Sequence, residues 1–132
     1  MLLVDTNVLV DLLQNDPQWA DWSIAQLRAQ TKLHALAINP VIYAEMSLSF
    51  STLEALDDVV LTMALELREI PRPALFLAAR AYALYRRRGG SKGQVLPAFF
   101  IGAHAAVQAW PLLTRDASRF KTYFPTLDVI AP

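Results

Sequence analysis

Three carboxylates stand where a chain can build a reactive centre. Asp5 follows the apolar run Met1-Leu2-Leu3-Val4, and Asp116 follows "PLLTR". Glu45 sits in "VIYAEMSL", among apolar neighbours where a charge is unusual. An aspartate between a strand and a helix can cap the helix, and a glutamate on an apolar face can be a satisfied core residue. Together they read as one site. Buried carboxylates are costly unless paired, and several converging on one point repel each other and take up protons. A hard divalent cation such as Mg²⁺ or Mn²⁺ removes that conflict, because it favours oxygen ligands. Such an ion also activates water for phosphodiester hydrolysis.

The elements that must position these acids are legible in outline. Leu2 to Val4 predict a buried strand, and residues 7–14 a helix. Asp16-Pro17 signals the start of a second helix, running to about residue 30. "KLHALAI" (32–38) predicts a second strand, and Asn39-Pro40 opens the helix that carries Glu45. Ser51 to Glu54 resembles a capping box for a helix to about residue 65. "REIPRP" (68–73) breaks the pattern, with a short strand nearby. A long helix follows and stops at Gly89-Gly90, and residues 89–95 predict a mobile loop. Leu96-Pro97 opens a helix ending near Trp110, "LLT" (112–114) predicts a strand, and a helical turn and a last strand "LDVI" follow. Strands alternating with helices predict an α/β fold, a short parallel sheet of four to five strands with helices on both sides. In such folds reactive groups gather at the carboxyl ends of strands, where Asp5 and Asp116 fall.

Composition narrows the class. The 132 residues fit one domain, and 55% hydrophobic content with 18% charged residues supports a core rather than disorder. There is no cysteine, which excludes disulfides and thiolate metal sites. No signal peptide or membrane-spanning run is apparent, so a cytoplasmic location without membrane contact is expected. Up to Glu69 there are three basic and ten acidic residues, a balance of −7; from Ile70 there are nine basic and two acidic, a balance of +7. This suits either pairing between the halves or a polyanionic partner at the second half.

"LLVDTNVLVDLL", "NPVIYAEM", "VLPAFFIGAHA" and "PLLTRDASRFKTYFPTLDVI" resemble, in order and over essentially the whole chain, the PIN-domain ribonucleases, and most of all the VapC toxins of type II toxin–antitoxin (VapBC) pairs. The resemblance implies a single PIN domain over 1–132 and an Mg²⁺- or Mn²⁺-dependent endoribonuclease acting on tRNA or another structured RNA. It implies a VapB-like antitoxin partner, and a homodimer is expected with it. By position, the resemblance makes Asp5, Glu45 and Asp116 the catalytic acids: Asp5 the first metal ligand, Asp116 bound to the metal directly or through water, and Glu45 polarising water or holding a second metal. Thr6, Asn7 and Thr114 are residues whose hydrogen bonds hold Asp5 and Asp116.

One family carboxylate is missing. Where the pattern has Leu-Pro-Asp, this chain has Leu96-Pro97-Ala98. His104, six residues on, lies about 240° around the helix from Ala98 and faces away, so it reads as an ordinary helix histidine; His34, in the expected second strand, reads similarly. Ala98 is either a substitution that disarms the toxin or the mark of an inactive homologue. The alternative from another class is a non-catalytic, PIN-like protein-interaction module. A haloacid-dehalogenase-type phosphatase also begins with a strand-end aspartate, but it wants a second aspartate two residues later, where this chain has Asn7.

Arg86, Arg87, Arg88 and Lys92 in "RRRGGSKG", with Arg115 and Arg119 around Asp116, are candidates for RNA phosphates. The first three equally complement a helix C-terminus. Leu48, Phe50, Leu53 and Leu56 suit either the core or a groove for an amphipathic partner helix.

Overall fold

The apolar run at residues 2–4 forms the middle strand of a five-stranded sheet. A computed structural model describes residues 1–90 and 95–132. Strands β1 (Leu2–Val4), β2 (Leu36–Ile38), β3 (Glu66–Leu67), β4 (Leu112–Leu113) and β5 (Val129–Ile130) are all parallel, in the order β3-β2-β1-β4-β5. Leu3 pairs with Ala37 on one side and Leu112 on the other. Successive strand residues point to opposite faces, and Leu2, Leu3 and Val4 are all fully buried. Both faces of the sheet are therefore covered at its centre, while the edge strand β3 is exposed.

Among the described residues, seven α-helices surround it: α1 (Thr6–Leu13), α2 (Ala20–Thr31), α3 (Pro40–Met46), α4 (Leu53–Thr62), α5 (Arg72–Arg87), α6 (Leu96–Gln108) and α7 (Ala117–Tyr123). Phe99 on α6 is fully buried, with the rings of Tyr82, Tyr85, Tyr123 and Phe124 at 5.4–6.1 Å. This cluster ties α6 to α5 and α7. Gly102 allows the close approach, since a Cβ there would lie 2.6 Å from the Phe124 ring and 2.9 Å from that of Phe120.

Several boundaries differ from expectation for local reasons. The Asp16 carboxylate accepts from the amides of Gln18 and Trp19, both at 2.9 Å, so Asp16-Pro17 makes a turn and α2 begins only at Ala20. The amides of Leu33 and His34 fold back onto the Gln30 carbonyl, which shortens the second strand to residues 36–38. Thr52, not Ser51, caps α4, accepting from the Ala55 amide at 3.1 Å. Left-handed Ala64 (φ 53°) follows that helix and ends it earlier than expected. Gly89 (φ 88°) follows α5 as expected. Of the expected loop, residues 91–94 lie outside the described residues.

Candidate active site

The strand order brings the three acids together. The chain steps outward from β1 through β2 to β3, then returns to β4 on the other side of β1. Ligand sites of open α/β sheets form at such a reversal. Asp5 leaves β1, Thr114 to Asp116 leave β4, and Asn39 after β2 caps α3 through the Ile42 amide at 2.9 Å, which fixes the helix carrying Glu45. Asp5, Thr6, Asn7, Glu45, Asp116 and Ala98 all line one open cleft of about 170 Å³, together with Arg119.

The tripeptide Asp5-Thr6-Asn7 stitches these elements. Asp5 is both cap and site residue: Oδ1 accepts from the Thr6 amide at 2.7 Å, and Oδ2 from the Thr114 hydroxyl at 2.7 Å. The Thr6 hydroxyl donates to Glu45 at 2.6 Å. Asn7 accepts from the Arg115 amide at 3.2 Å and donates to the Thr114 oxygen at 3.4 Å. Thr114 also receives the Asp116 amide, at 3.1 Å.

Burial is uneven. Asp5 is 8% exposed, Glu45 is half-buried and Asp116 is exposed. Glu45 is thus not the fully buried helix charge its apolar neighbours suggest; it reaches the cleft and the Thr6 hydroxyl. Burial pushes the Asp5 carboxyl up to about 6, and the nearby charges of Glu45 and Asp116 add to this, while hydrogen bonds from Thr114 and Thr6 oppose it. A carboxyl in this state is one that a cation stabilises. The cleft's acidic oxygens match a hard divalent ion in kind, and Asp5 and Asp116 are the ones that could hold it. In number they are few, for Ala98 adds no oxygen to the cleft wall. Among the described residues, no three acidic or histidine side chains close on one point as a ready ligand cluster.

The basic candidates divide. Arg119 lines the cleft, 3.9 Å from Asp116. Arg88 lies over the Tyr123 ring at 5.8 Å, and Arg86 and Arg87 end α5. Arg115 turns to Asp11, with 2.6 Å between Nε and Oδ2. Lys92 lies outside the described residues. His104 is fully buried, its Nδ1 3.2 Å from the Asn39 amide nitrogen, and His34 is half-buried beyond α2. Leu56 belongs to the core and Phe50 packs against it, while Leu48 and Leu53 are exposed.

Sequence reasoning passed over Asp11, Trp19 and Ser23. Asp11 carried a signal: it is the one charge in the apolar run "NVLVDLL", and it is 3% exposed.

The PIN domain family model matches residues 2–124, and the chain belongs to the PIN-domain family. The fold resembles that of VapBC2 from Rickettsia felis bound to a promoter DNA fragment, with 20% identity, 99% of this chain and 98% of that one covered, and a TM-score of 0.74. VapBC-1 from nontypeable Haemophilus influenzae is similar at 16% identity, 98% and 96% coverage and a TM-score of 0.73. So is a toxin–antitoxin complex from Klebsiella pneumoniae, at 22% identity, 100% and 98% coverage and a TM-score of 0.68. Comparison with curated proteins by sequence gives no match. No helix among the described residues is long and apolar enough to cross a membrane.

Proposed function

We propose that this chain is the toxin of a type II toxin–antitoxin pair, a VapC-like endoribonuclease dependent on Mg²⁺ or Mn²⁺, with its activity severely reduced by Ala98. The observation that carries the reading is that Asp5, Glu45, Asp116 and Ala98 share one cleft. A carboxylate at position 98 would enter the same space as the other three. PIN domains are in general nucleases, and the neighbouring folds are toxins held with antitoxins. The substrate is tRNA or another structured RNA, and the setting is the cytoplasm. The functional unit is one PIN domain over residues 1–132, working as a homodimer and held by a VapB-like antitoxin.

A divalent cation bound here supplies Lewis acidity for attack of water on a phosphodiester. Asp5 and Asp116 would hold it through their carboxylate oxygens. Glu45, tethered by Thr6, orients water and accepts its proton. Arg119 on the cleft wall meets the phosphate charge. The non-catalytic interaction module remains the second reading, favoured by Ala98 itself.

Expression of Ala98→Asp with and without the antitoxin, followed by sequencing of RNA 5′ ends, decides between them. The nuclease reading expects new, defined 5′ ends that disappear with a chelator. No new ends supports the module; cleavage that persists in excess chelator sinks the metal mechanism.

A further inference from the structure

Arg115 does not line the cleft, although its neighbour Asp116 does. Its guanidinium lies 5.3 Å over the Trp19 ring while Nε meets Asp11 Oδ2 at 2.6 Å, a close ion contact rather than an aligned hydrogen bond. We propose that Asp11, Arg115 and Trp19 form a latch fixing the 114–116 loop to α1, and that Arg115 is a positioning residue for Thr114 and Asp116 rather than an RNA contact.

Asp11 sets the need. Its carboxylate is 3% exposed, and the Ser23 hydroxyl donates to it at 3.2 Å. A buried carboxylate with only a hydroxyl for company is strongly disfavoured, and Arg115 supplies the charge. Arginine suits the place because its flat face lies on an aromatic ring while its edge meets a carboxylate; a lysine ammonium cannot do both.

The main chain of Arg115 is held as well, through its amide to Asn7 Oδ1 at 3.2 Å. Asn7 and Asp11 are four residues apart, on one face of α1. The loop is therefore pinned to that face at two points. Thr114, just before Arg115, donates to Asp5, and the Asp116 amide donates to Thr114. Whatever fixes Arg115 fixes the spacing of Asp5 and Asp116. The charge on α1 and the charge beside Asp116 thus act on the cleft from outside it.

The test uses Asp11→Asn, Arg115→Met, their double variant and Arg115→Lys, each in this chain and with Ala98→Asp. Three readouts are taken: amide hydrogen exchange at residues 114–117, Mn²⁺ affinity by calorimetry, and metal-free binding of a short RNA oligonucleotide. The latch expects each single variant to speed exchange at 114–117 at least tenfold while exchange in β1 and β2 stays unchanged. It expects Mn²⁺ affinity to fall by about 10–100-fold, the double variant to be no worse than Arg115→Met, and Arg115→Lys to restore less than half of the loss. Metal-free RNA affinity should respond to Arg119→Met and not to Arg115→Met. Unchanged loop exchange in both single variants overturns the latch. So does an Arg115→Met protein that loses RNA binding while its loop and Mn²⁺ affinity are intact. Ser23→Ala and Trp19→Leu are milder probes if Asp11→Asn unfolds; global unfolding of these as well makes the network a folding element and overturns the proposal. The Mn²⁺ readout alone rests on the proposed function. No Mn²⁺ binding in either background, with the loop exchanging as stated, refutes that function and leaves the latch standing.

Discussion

The Thr114 hydroxyl donates to Asp5 at 2.7 Å and joins two residues 109 positions apart. The same oxygen accepts from the Asp116 amide. Thr114→Val keeps the shape but leaves a buried carboxylate oxygen and an amide without their partner, at a cost of about 1–3 kcal/mol. Thr114→Ser keeps both bonds and should stay within about 1 kcal/mol of the parent. Urea melts of the two variants check this, and equal loss in both would show that the methyl group, not the hydroxyl, matters.

Asp5 gives the protein a pH dependence of unusual sign. Its carboxyl is held at about 6 against an ordinary 3.8, so between those values the folded chain binds more protons than the unfolded one. Stability from this group falls as pH rises from about 4 to about 6, by roughly 3 kcal/mol in all, and is level above. Asp5→Asn should remove that slope and, without divalent ions, raise stability at pH 8 by roughly 1–3 kcal/mol. His104 works in the opposite sense. Burial lowers its value below 6.5, so its contribution is present above that pH and fades as pH falls. Melting temperatures of both proteins from pH 4 to 8 test the assignment; the same slope in Asp5→Asn would refute it.

Ala98→Asp should strengthen Mg²⁺ binding by more than the roughly 10–100-fold typical of changes one step removed from a metal. Calorimetry on the two chains measures it. Equal affinities would place position 98 outside the metal's reach.

Much of this was readable in advance, and the reasons are local. Asp5, Asp116 and Asn39-Pro40 stand at strand ends and helix starts, where residue type and chain direction alone fix the placement. Two things were not readable. The partner of Asp11 is Arg115, 104 residues away by number, and no periodicity links them. The exposure of Glu45 depends on how α3 leans on α1, which the apolar letters around it do not record.

Gly102→Ala should cost about 1–3 kcal/mol. The new methyl would meet the Phe124 ring at 2.6 Å and press α7 away from α6. Because α7 begins beside Asp116, the variant should also weaken Mn²⁺ binding. A stable Gly102→Ala protein would mean that the two phenylalanines swing aside freely.

If the proposed antitoxin exists, it should set a basic side chain, arginine by preference, among Asp5, Glu45 and Asp116, because arginine can bridge two carboxylates. Asp5→Asn with Asp116→Asn should then weaken the complex, as should high salt. Leu48 and Leu53, exposed at 90% and 61%, offer an apolar hold for a partner helix. Glutamate at both should reduce affinity with little effect on this chain's own stability. Unchanged affinity of the Asp5/Asp116 double variant across a salt series would place the inhibitor elsewhere.

The central place of β1 has a consequence for synthesis on the ribosome. The strand nearest the N-terminus waits for a neighbour at residues 112–113, so it is enclosed almost last. Until then one of its edges is open and Asp5 lacks Thr114 and Asp116. A nascent or interrupted product therefore carries the first half of the cleft and none of the second. The order of translation thus leaves the acidic cleft unassembled until residues 112–116 have been made.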